Sequence, residues 1–327
     1  MKRLILGAAA LSVIGYFGTK FYINYKTTEA VDQAITLMRP FASVEYASVS
    51  SSMTGELSVD KISVGIPGFK DRVELDSVGI KLPTFFDLLK LHNIGPQTLT
   101  SGDFPDSIQV FVDGVVVDTG TDYMMKFFRE AELEAAEAYG GQLPTQEEDP
   151  LGHCLNRFGY SSKDLLDLGM DRMVVSFSYG VEQLEDELAF TLSVLVEDFY
   201  SADVDVRVRG GIGELARIGA DRAVLTGFEI VAEDLSASER AFARCETLGV
   251  DRATAKEGML TQLIEDLEDL GFIPDDRLIE PLRAGIQAEH QHARVTGNPP
   301  QPVSFGKIDL YNPSDMPALL GVDLQTW

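Results

Sequence analysis

The sequence predicts an α+β fold: antiparallel, curved β-sheets with helices packed on one face, preceded by one N-terminal transmembrane helix. Apolar residues occupy every second position in three runs within Arg172–Val208, which predicts an antiparallel meander with one apolar and one polar face. Two alternating runs over residues 55–82 carry one-residue phase slips, which indicate β-bulges and hence curvature. Helical patterns follow the strands in each half of the chain, as in α+β folds.

The N-terminus has the order of a secretory signal, in which a basic Met1–Arg3 precedes an apolar or small stretch from Leu4 to Gly18. Such a signal is either cleaved or retained as an anchor. No small-x-small cleavage site follows Gly18, and about 20 residues cross a bilayer, so we predict a signal anchor at residues 1–26 that contacts the membrane through residues 4–25. The leading basic residues predict a single-pass inner-membrane protein with a cytoplasmic N-terminus and a periplasmic bulk.

The first α+β region is predicted at residues 27–150. It contains a short helix at Thr27–Arg39, the two bulged strands, a strand at Ile108–Val117 and a helix that begins at Asp122. A loop rich in proline and acidic residues follows. The second region is therefore predicted at residues 151–327, either as a separate domain or as one continuous domain with the first.

The second region adds a strand and amphipathic helices after the meander. We predict the strand at Ala223–Val231, and the apolar positions of Thr254–Leu270 repeat with helical spacing up to a stop at Gly271. A further helix is predicted at roughly Leu278–Arg294, followed by a last strand over Val303–Leu310. If these helices cover the apolar face of the sheet, that face is an ordinary core; if they cover it in part, the open remainder is a groove for an acyl chain or a partner strand.

The charge balance excludes one class of partner. The chain carries 52 acidic and 27 basic residues, a net charge of −25, and the acidic residues are spread along the sequence. Such a surface repels nucleic acid, so we predict no nucleic-acid partner.

The two cysteines, Cys154 and Cys245, predict either one disulfide or two free thiols. An exported chain with an even number of cysteines favours the disulfide. That bond closes a long loop around the meander, and on the chain-entropy model it contributes about 4 kcal/mol of stability.

The sequence shows no catalytic signature. His290 and His292 point about 200° apart on a helix and cannot chelate one ion together, so we predict no metal site. His153 and Cys154 are adjacent, and adjacent residues seldom have the geometry of a base and a nucleophile. The glycine-rich segment Gly210–Gly213 lacks the spacing of a phosphate-binding loop. We therefore expect a protein without catalytic residues or cofactors, and not an enzyme.

The N-terminal 90 residues resemble a known family. Gly55–Val64, with the pattern G-x-L-x-V-x-x-I-x-V, is followed by Val73–Leu82 and by the short leucine-rich piece Phe85–Leu89. After an N-terminal anchor, this pattern resembles the opening of AsmA/TamB-like envelope proteins and is similar to that of the YdgA-like periplasmic family. The resemblance implies curved β-sheet grooves and a role in outer-membrane lipid or protein homeostasis, and it transfers no functional residue.

The function predicted from the sequence is non-enzymatic. We expect a bacterial envelope protein, anchored in the inner membrane, whose periplasmic region binds a hydrophobic ligand such as a lipid, or an envelope partner, on an apolar face. The alternative is a structural or assembly subunit of a larger envelope complex that docks through its sheet edges. The candidate ligand-binding residues are Phe111, Phe177, Phe190 and Leu192.

Overall fold

A computed structural model describes residues 2–52, 54–91, 105–138, 143–157, 161–218 and 222–327 of the chain. At residues 2–19, 89–91, 162, 216–218 and 309 it describes the backbone alone. The chain divides into two compact units, Met1–Val115 and Val116–Trp327.

Twelve strands of the described chain belong to one antiparallel sheet. They are β1 (Ser43–Glu45), β2 (Ser48–Ser51), β3 (Glu56–Gly65), β4 (Arg72–Lys81), β5 (Ser107–Asp118), β6 (Arg172–Gln183), β7 (Glu187–Val196), β8 (Tyr200–Arg209), β9 (Val224–Asp234), β10 (His292–Gly297), β11 (Val303–Ser304) and β12 (Val322–Thr326). The hydrogen-bonded order is β1-β3-β4-β5-β6-β7-β8-β9-β10-β12, with β2 also paired to β3 and β11 to β9.

The helices of the described chain lie between these strands. They are α1 (Lys2–Met38), α2 (Phe85–Leu91), α3 (Asp122–Ala138), α4 (Pro150–Cys154), α5 (Ser162–Asp167), α6 (Ile212–Ile218), α7 (Ala237–Thr247), α8 (Arg252–Asp269), α9 (Asp276–Ala288) and α10 (Met316–Leu320). A 3-10 helix at Phe305–Leu310 follows β11.

The predicted fold class is wrong on two points, the expectation of several sheets and the expectation of a transmembrane helix. The strands join a single 12-stranded sheet, because successive strands keep pairing with their neighbours along the path. Alternation identifies a strand and its two faces, but it carries no information about where a sheet ends.

None of the helices in the described part of the chain is both long enough and apolar enough to cross a membrane. In the second half of α1, which is otherwise half-buried or exposed, one residue packs into a core of the folded protein. Ile23 is buried in a cluster with Leu82 and Phe85, and the Asn24 side-chain oxygen accepts a hydrogen bond from Ser51 Oγ at 2.7 Å. The helix also runs on without a break to Met38, through charged residues.

This finding corrects the prediction of a signal anchor at residues 1–26 and of membrane contact through residues 4–25. It also overturns the location derived from that anchor, a single-pass inner-membrane protein with a periplasmic bulk. The expectation of lipid binding came from the open apolar face and the resemblance to envelope proteins, and nothing in the described part of the chain supports a lipid as the ligand.

In the first unit, β3 and β4 pair without the β-bulges that the phase slips of their sequences predict. Val59 faces Val78 and Ile62 faces Leu75, so no residue is gained or lost between β3 and β4 at Lys61. Lys61 has a left-handed φ of 53°, and its ammonium lies 2.5 Å from an Asp76 carboxylate oxygen on β4. The two strands therefore keep their register through this position.

The second unit has buried clusters at each end of its strands and beneath its helices. Met124, Phe128 and Leu165 pack with Val196 of β7 at one end. Val303, Met316 and Leu320 pack with Leu225 of β9 at the other end. The third cluster surrounds a disulfide between Cys154 of α4 and Cys245 of α7, both fully buried, with sulfur atoms 2.04 Å apart.

Candidate ligand-binding face

The strands of the second unit carry most of their apolar side chains on one side. Phe177 faces Val194, and Phe190 faces Val206, and residues paired in this way lie on the same side of a sheet. The register carries this surface, which we call the apolar face, across β6 to β10 and β12. Its central members are Phe177, Tyr179, Val181, Phe190, Leu192, Val194, Val204, Val206, Phe228, Ile230, Val295 and Leu324.

The opposite face is polar. The Ser193 hydroxyl donates a hydrogen bond to the Asp203 carboxylate across β7 and β8. Arg207 Nε donates to Asp205 Oδ1 at 2.9 Å along β8, and Arg294 and Glu229 form an ion pair of 2.8 Å between β10 and β9. Asp203, Asp205 and Glu229 on the polar face are therefore engaged in ordinary surface pairs.

Helices and the 3-10 segment cover the two ends of the apolar face, and its middle is open. Val175 and Val196 pack against the α3 and α5 side chains, while Val206 and Phe228 pack near α10. Between these ends, Phe177, Tyr179 and Leu192 are 45%, 46% and 41% exposed. Adjacent large apolar side chains with this exposure mark a binding surface more often than a random surface position.

One open cavity lies on the apolar face beside these side chains. Its volume is about 680 Å³, and its walls are Tyr179, Phe190, Val206, Val208, Leu215, Ala223, Phe305 and Gly306. The 3-10 helix is held over the strands because the Phe305 amide donates to the Ala223 carbonyl oxygen at 3.0 Å. Leu215 comes from α6, so side chains from three kinds of element meet around one space.

Tyr179 supplies the one polar side chain of these walls. Its hydroxyl has no hydrogen-bond partner among the residues that the structure describes, and partial burial raises the pKa of the phenol above its ordinary value. The hydroxyl is therefore protonated at neutral pH and is free to donate a hydrogen bond.

The structure gathers three of the four predicted ligand-binding residues on one face. Phe190 lines the cavity, and Phe177 and Leu192 lie on the same face beside it. Phe111 lies on β5 in the first unit, where its ring packs so closely on Gly79 of β4 that a Cβ atom there would stand 2.5 Å from Phe111 Cζ. Phe111 is thus part of the packing of its own strands.

The cavity also contains residues that the sequence analysis missed. Tyr179 follows Phe177 by two positions, so the same alternation was available to find it. Phe305 was predicted within a strand, whereas β11 ends at Ser304 and Phe305 begins the 3-10 helix. Ala223 and Leu215 carry no pattern that marks them as cavity residues.

No protein-family model matches the chain, and no curated protein sequence matches it either. The resemblance of residues 1–90 to AsmA/TamB-like proteins therefore stays a prediction.

A second, smaller cavity of about 370 Å³ lies between α7, α9 and the end of β10. His290 and His292 line it, but α9 ends at Ala288, and His292 opens β10 rather than continuing a helix as predicted. The His290 ring shares a 3.0 Å hydrogen bond with Thr326 Oγ1, and the His292 ring stacks on Trp327 with centroids 5.5 Å apart. Within the described ranges, no three histidine, cysteine or acidic side chains are grouped to hold a metal ion.

Proposed function

We propose that this protein binds an uncharged, apolar small molecule in the cavity of about 680 Å³ on the apolar face. The observation that carries the proposal is the chemistry of the walls, which are aliphatic or aromatic apart from the backbone and the Tyr179 hydroxyl. Small-molecule sites are typically concave spaces of roughly 300–1,000 Å³ with apolar walls and few polar groups.

The described walls of the cavity carry no charged side chain, so we expect an uncharged ligand. No lysine, arginine, aspartate or glutamate is among the cavity-lining side chains of the described chain. An ionic group buried there loses its water without gaining a partner, which is costly. The Tyr179 hydroxyl accommodates at most one hydrogen-bonding group on the ligand.

We infer binding without catalysis. The walls hold no carboxylate, imidazole or thiol that could act as a base or a nucleophile, and Tyr179 keeps its proton at neutral pH because burial raises its pKa. A second candidate function, docking to another protein, is supported by a separate feature, the free edge of β12 discussed below.

The experiment is a fluorescence titration of the full chain with Nile red. This dye is neutral, which matters because a protein with a net charge of −25 repels anionic dyes. We expect saturable binding at one site with blue-shifted emission. The variant Ala223→Leu adds bulk inside the cavity and should weaken binding at least tenfold.

A second variant keeps the proposal testable if Ala223→Leu fails to fold. Tyr179→Asp places a carboxylate in the cavity wall at a position that is 46% exposed, so the fold tolerates the charge. We expect the same loss of dye binding. Absence of saturable binding to the unaltered protein, or equal binding by both variants, contradicts the proposal.

A further inference from the structure

The sheet of the second unit ends at β12, and the hydrogen bonds show which of its residues face outward. The amide of His292 donates to the Trp327 carbonyl oxygen, and the amide of Trp327 donates to that of His292, each at 3.0 Å. In an antiparallel pair such reciprocal bonds occur at every second residue. Gln325 and Asp323, which face Arg294 and Thr296, therefore bond inward to β10.

The intervening residues, Leu324 and Thr326, direct their backbone groups away from β10. Their amide and carbonyl groups have no hydrogen-bond partner among the described residues. Helix α9 does not take that place. It contacts β12 through the Thr326 side chain, which lies on the apolar face: the Thr326 hydroxyl donates to the Pro281 carbonyl oxygen of α9 at 3.4 Å, and the same side chain packs against Gly285.

The edge carries few of the usual protections. Proteins block a free strand edge with short strands, charged side chains, proline, β-bulges or a covering element. The five-residue sequence of β12, Val-Asp-Leu-Gln-Thr, contains no proline, glycine or lysine, and Asp323 is its one charged residue. Leu324 lies on the apolar face, so an added strand would extend that face as well as the hydrogen-bond ladder.

We propose that the free edge of β12 accepts an extended, basic segment of another protein as an additional antiparallel or parallel strand. Main-chain hydrogen bonds to Leu324 and Thr326 supply the affinity, and alternate side chains supply the selectivity. Apolar side chains of the segment would lie beside Leu324, and basic side chains would lie beside the exposed Asp323 on the polar face.

The net charge of the chain favours a basic segment over a second copy of the chain as the occupant of this edge. Two copies each carry a net charge of −25, so edge-to-edge pairing brings together two strongly acidic surfaces and two exposed Asp323 side chains. A basic segment meets the same surface with favourable electrostatics, which raises the rate of association.

The first part of the test is residue-level amide exchange of the full chain. In the free protein we expect slow exchange at Asp323 and Gln325 and fast exchange at Leu324 and Thr326. The probe is a nine-residue peptide of alternating valine and lysine, and its addition should slow exchange at Leu324 and Thr326. Slow exchange at both residues in a free monomer would overturn the proposal, because the edge would then be occupied.

The second part separates strand pairing from simple charge attraction. Fluorescence anisotropy compares the binding of the alternating peptide with the binding of a control peptide. The control has the same composition, with its valines and lysines in two separate blocks, so it keeps the charge and loses the alternation. Leu324→Pro removes the outward amide and no hydrogen bond to β10, so it should weaken the alternating peptide at least tenfold and leave the weak binding of the block peptide unchanged. Asp323→Lys, at an exposed position, provides a second variant that should also weaken the alternating peptide.

Equal binding of both peptides, or no effect of both variants, would overturn the proposal. A concentration-dependent dimer in which Leu324 and Thr326 become protected would assign the edge to a second copy and reject the basic partner. Ala223→Leu, which adds bulk to a cavity wall that does not include β12, should not alter peptide binding. Failure of the dye test and failure of the peptide test are therefore distinguishable.

Discussion

Arg244 and Asp164 form a buried ion pair across 80 residues of sequence. The Arg244 side chain on α7 is 4% exposed, and that of Asp164 on α5 is 17% exposed. The same guanidinium donates a hydrogen bond to the Asn156 side-chain oxygen at 2.6 Å. The pair therefore joins two helices and the segment after α4 within the second unit.

Replacing Asp164 by asparagine should destabilise the protein strongly. The substitution leaves the buried Arg244 without its countercharge, and breaking a buried pair in this way costs roughly 3 kcal/mol. The Asp164 carboxylate also accepts a hydrogen bond from the Ser161 amide at 2.8 Å, as part of the capping box of α5. Urea unfolding followed by circular dichroism measures the loss.

The control lies on the same helix. Asp167 pairs with Lys163 at the surface, and its side chain is 42% exposed. Asp167→Asn should cost less than about 0.5 kcal/mol, as exposed pairs do. Equal losses for the two variants would show that the burial of Arg244 has no energetic consequence.

Reduction of the disulfide between Cys154 and Cys245 should lower stability by about 4 kcal/mol on the chain-entropy model. The bond spans a sequence separation of 91, and reduction releases that loop in the unfolded chain. The measurement is the urea midpoint with and without a reducing agent, at a concentration that keeps the thiols reduced.

The double variant with alanine at both cysteine positions is the control. It should unfold near the midpoint of the reduced protein and should not respond to the reducing agent. An unaltered protein whose midpoint is insensitive to complete reduction contradicts the stabilising role of this bond.

Glu289 makes stability depend on pH in the acid range. Arg252 donates hydrogen bonds of 2.8 Å to both of its carboxylate oxygens, and Lys256 lies 2.7 Å from one of them. These contacts lower the pKa of Glu289 from 4.5 to about 2. A lowered carboxyl pKa contributes stability that is complete above pH 4.5 and is lost as pH falls toward 2.

The variant Glu289→Gln should therefore be less stable than the unaltered protein near neutral pH, and this difference in stability should shrink in acid. The side chain is 38% exposed, so solvent screening limits the effect, and we expect the stability gap to the unaltered protein to shrink by about 1 kcal/mol between pH 6 and pH 3. Urea midpoints at the two pH values give this difference. Glu280→Gln on α9 is the control, because Glu280 has no ion-pair partner in the described chain. A gap for Glu289→Gln that is independent of pH contradicts the assignment.

The sequence predicted the sidedness of the meander because alternation is a local property of the chain. A period of two places Phe177, Phe190 and Leu192 on one side wherever the strands lie, and register then follows from the short turns. The position of Phe305 in the cavity wall depends on a hydrogen bond from its amide to the carbonyl oxygen of Ala223, 82 residues away in sequence, and no local pattern encodes that contact.

The errors also have local causes. The apolar spacing of α9 continues past its end, so the sequence predicted a helix to Arg294. Glu289 instead adopts a left-handed φ of 56° and ends the helix, which a glutamate rarely does. The strand β10 that follows, and β12 beside it, were therefore missed. At the N-terminus, an apolar run was predicted as a membrane anchor, whereas Ile23 packs against Leu82.

The central claim, that the apolar face binds the ligand, is tested most directly by two substitutions on β7. Leu192 and Leu195 are 41% and 39% exposed and lie on opposite faces, Leu192 paired with Tyr179 and Leu195 paired with Ser176. Leu192→Asp and Leu195→Asp therefore introduce the same charge at nearly the same exposure on opposite faces, with Leu192 next to the cavity residue Tyr179 and Leu195 near the end of β7.

The measurement is the dissociation constant of Nile red for both variants and for the unaltered protein. We predict at least a tenfold weaker dye affinity for Leu192→Asp and a change within twofold for Leu195→Asp. Equal effects of the two substitutions, or undiminished binding by Leu192→Asp, would contradict the assignment of the ligand to the apolar face.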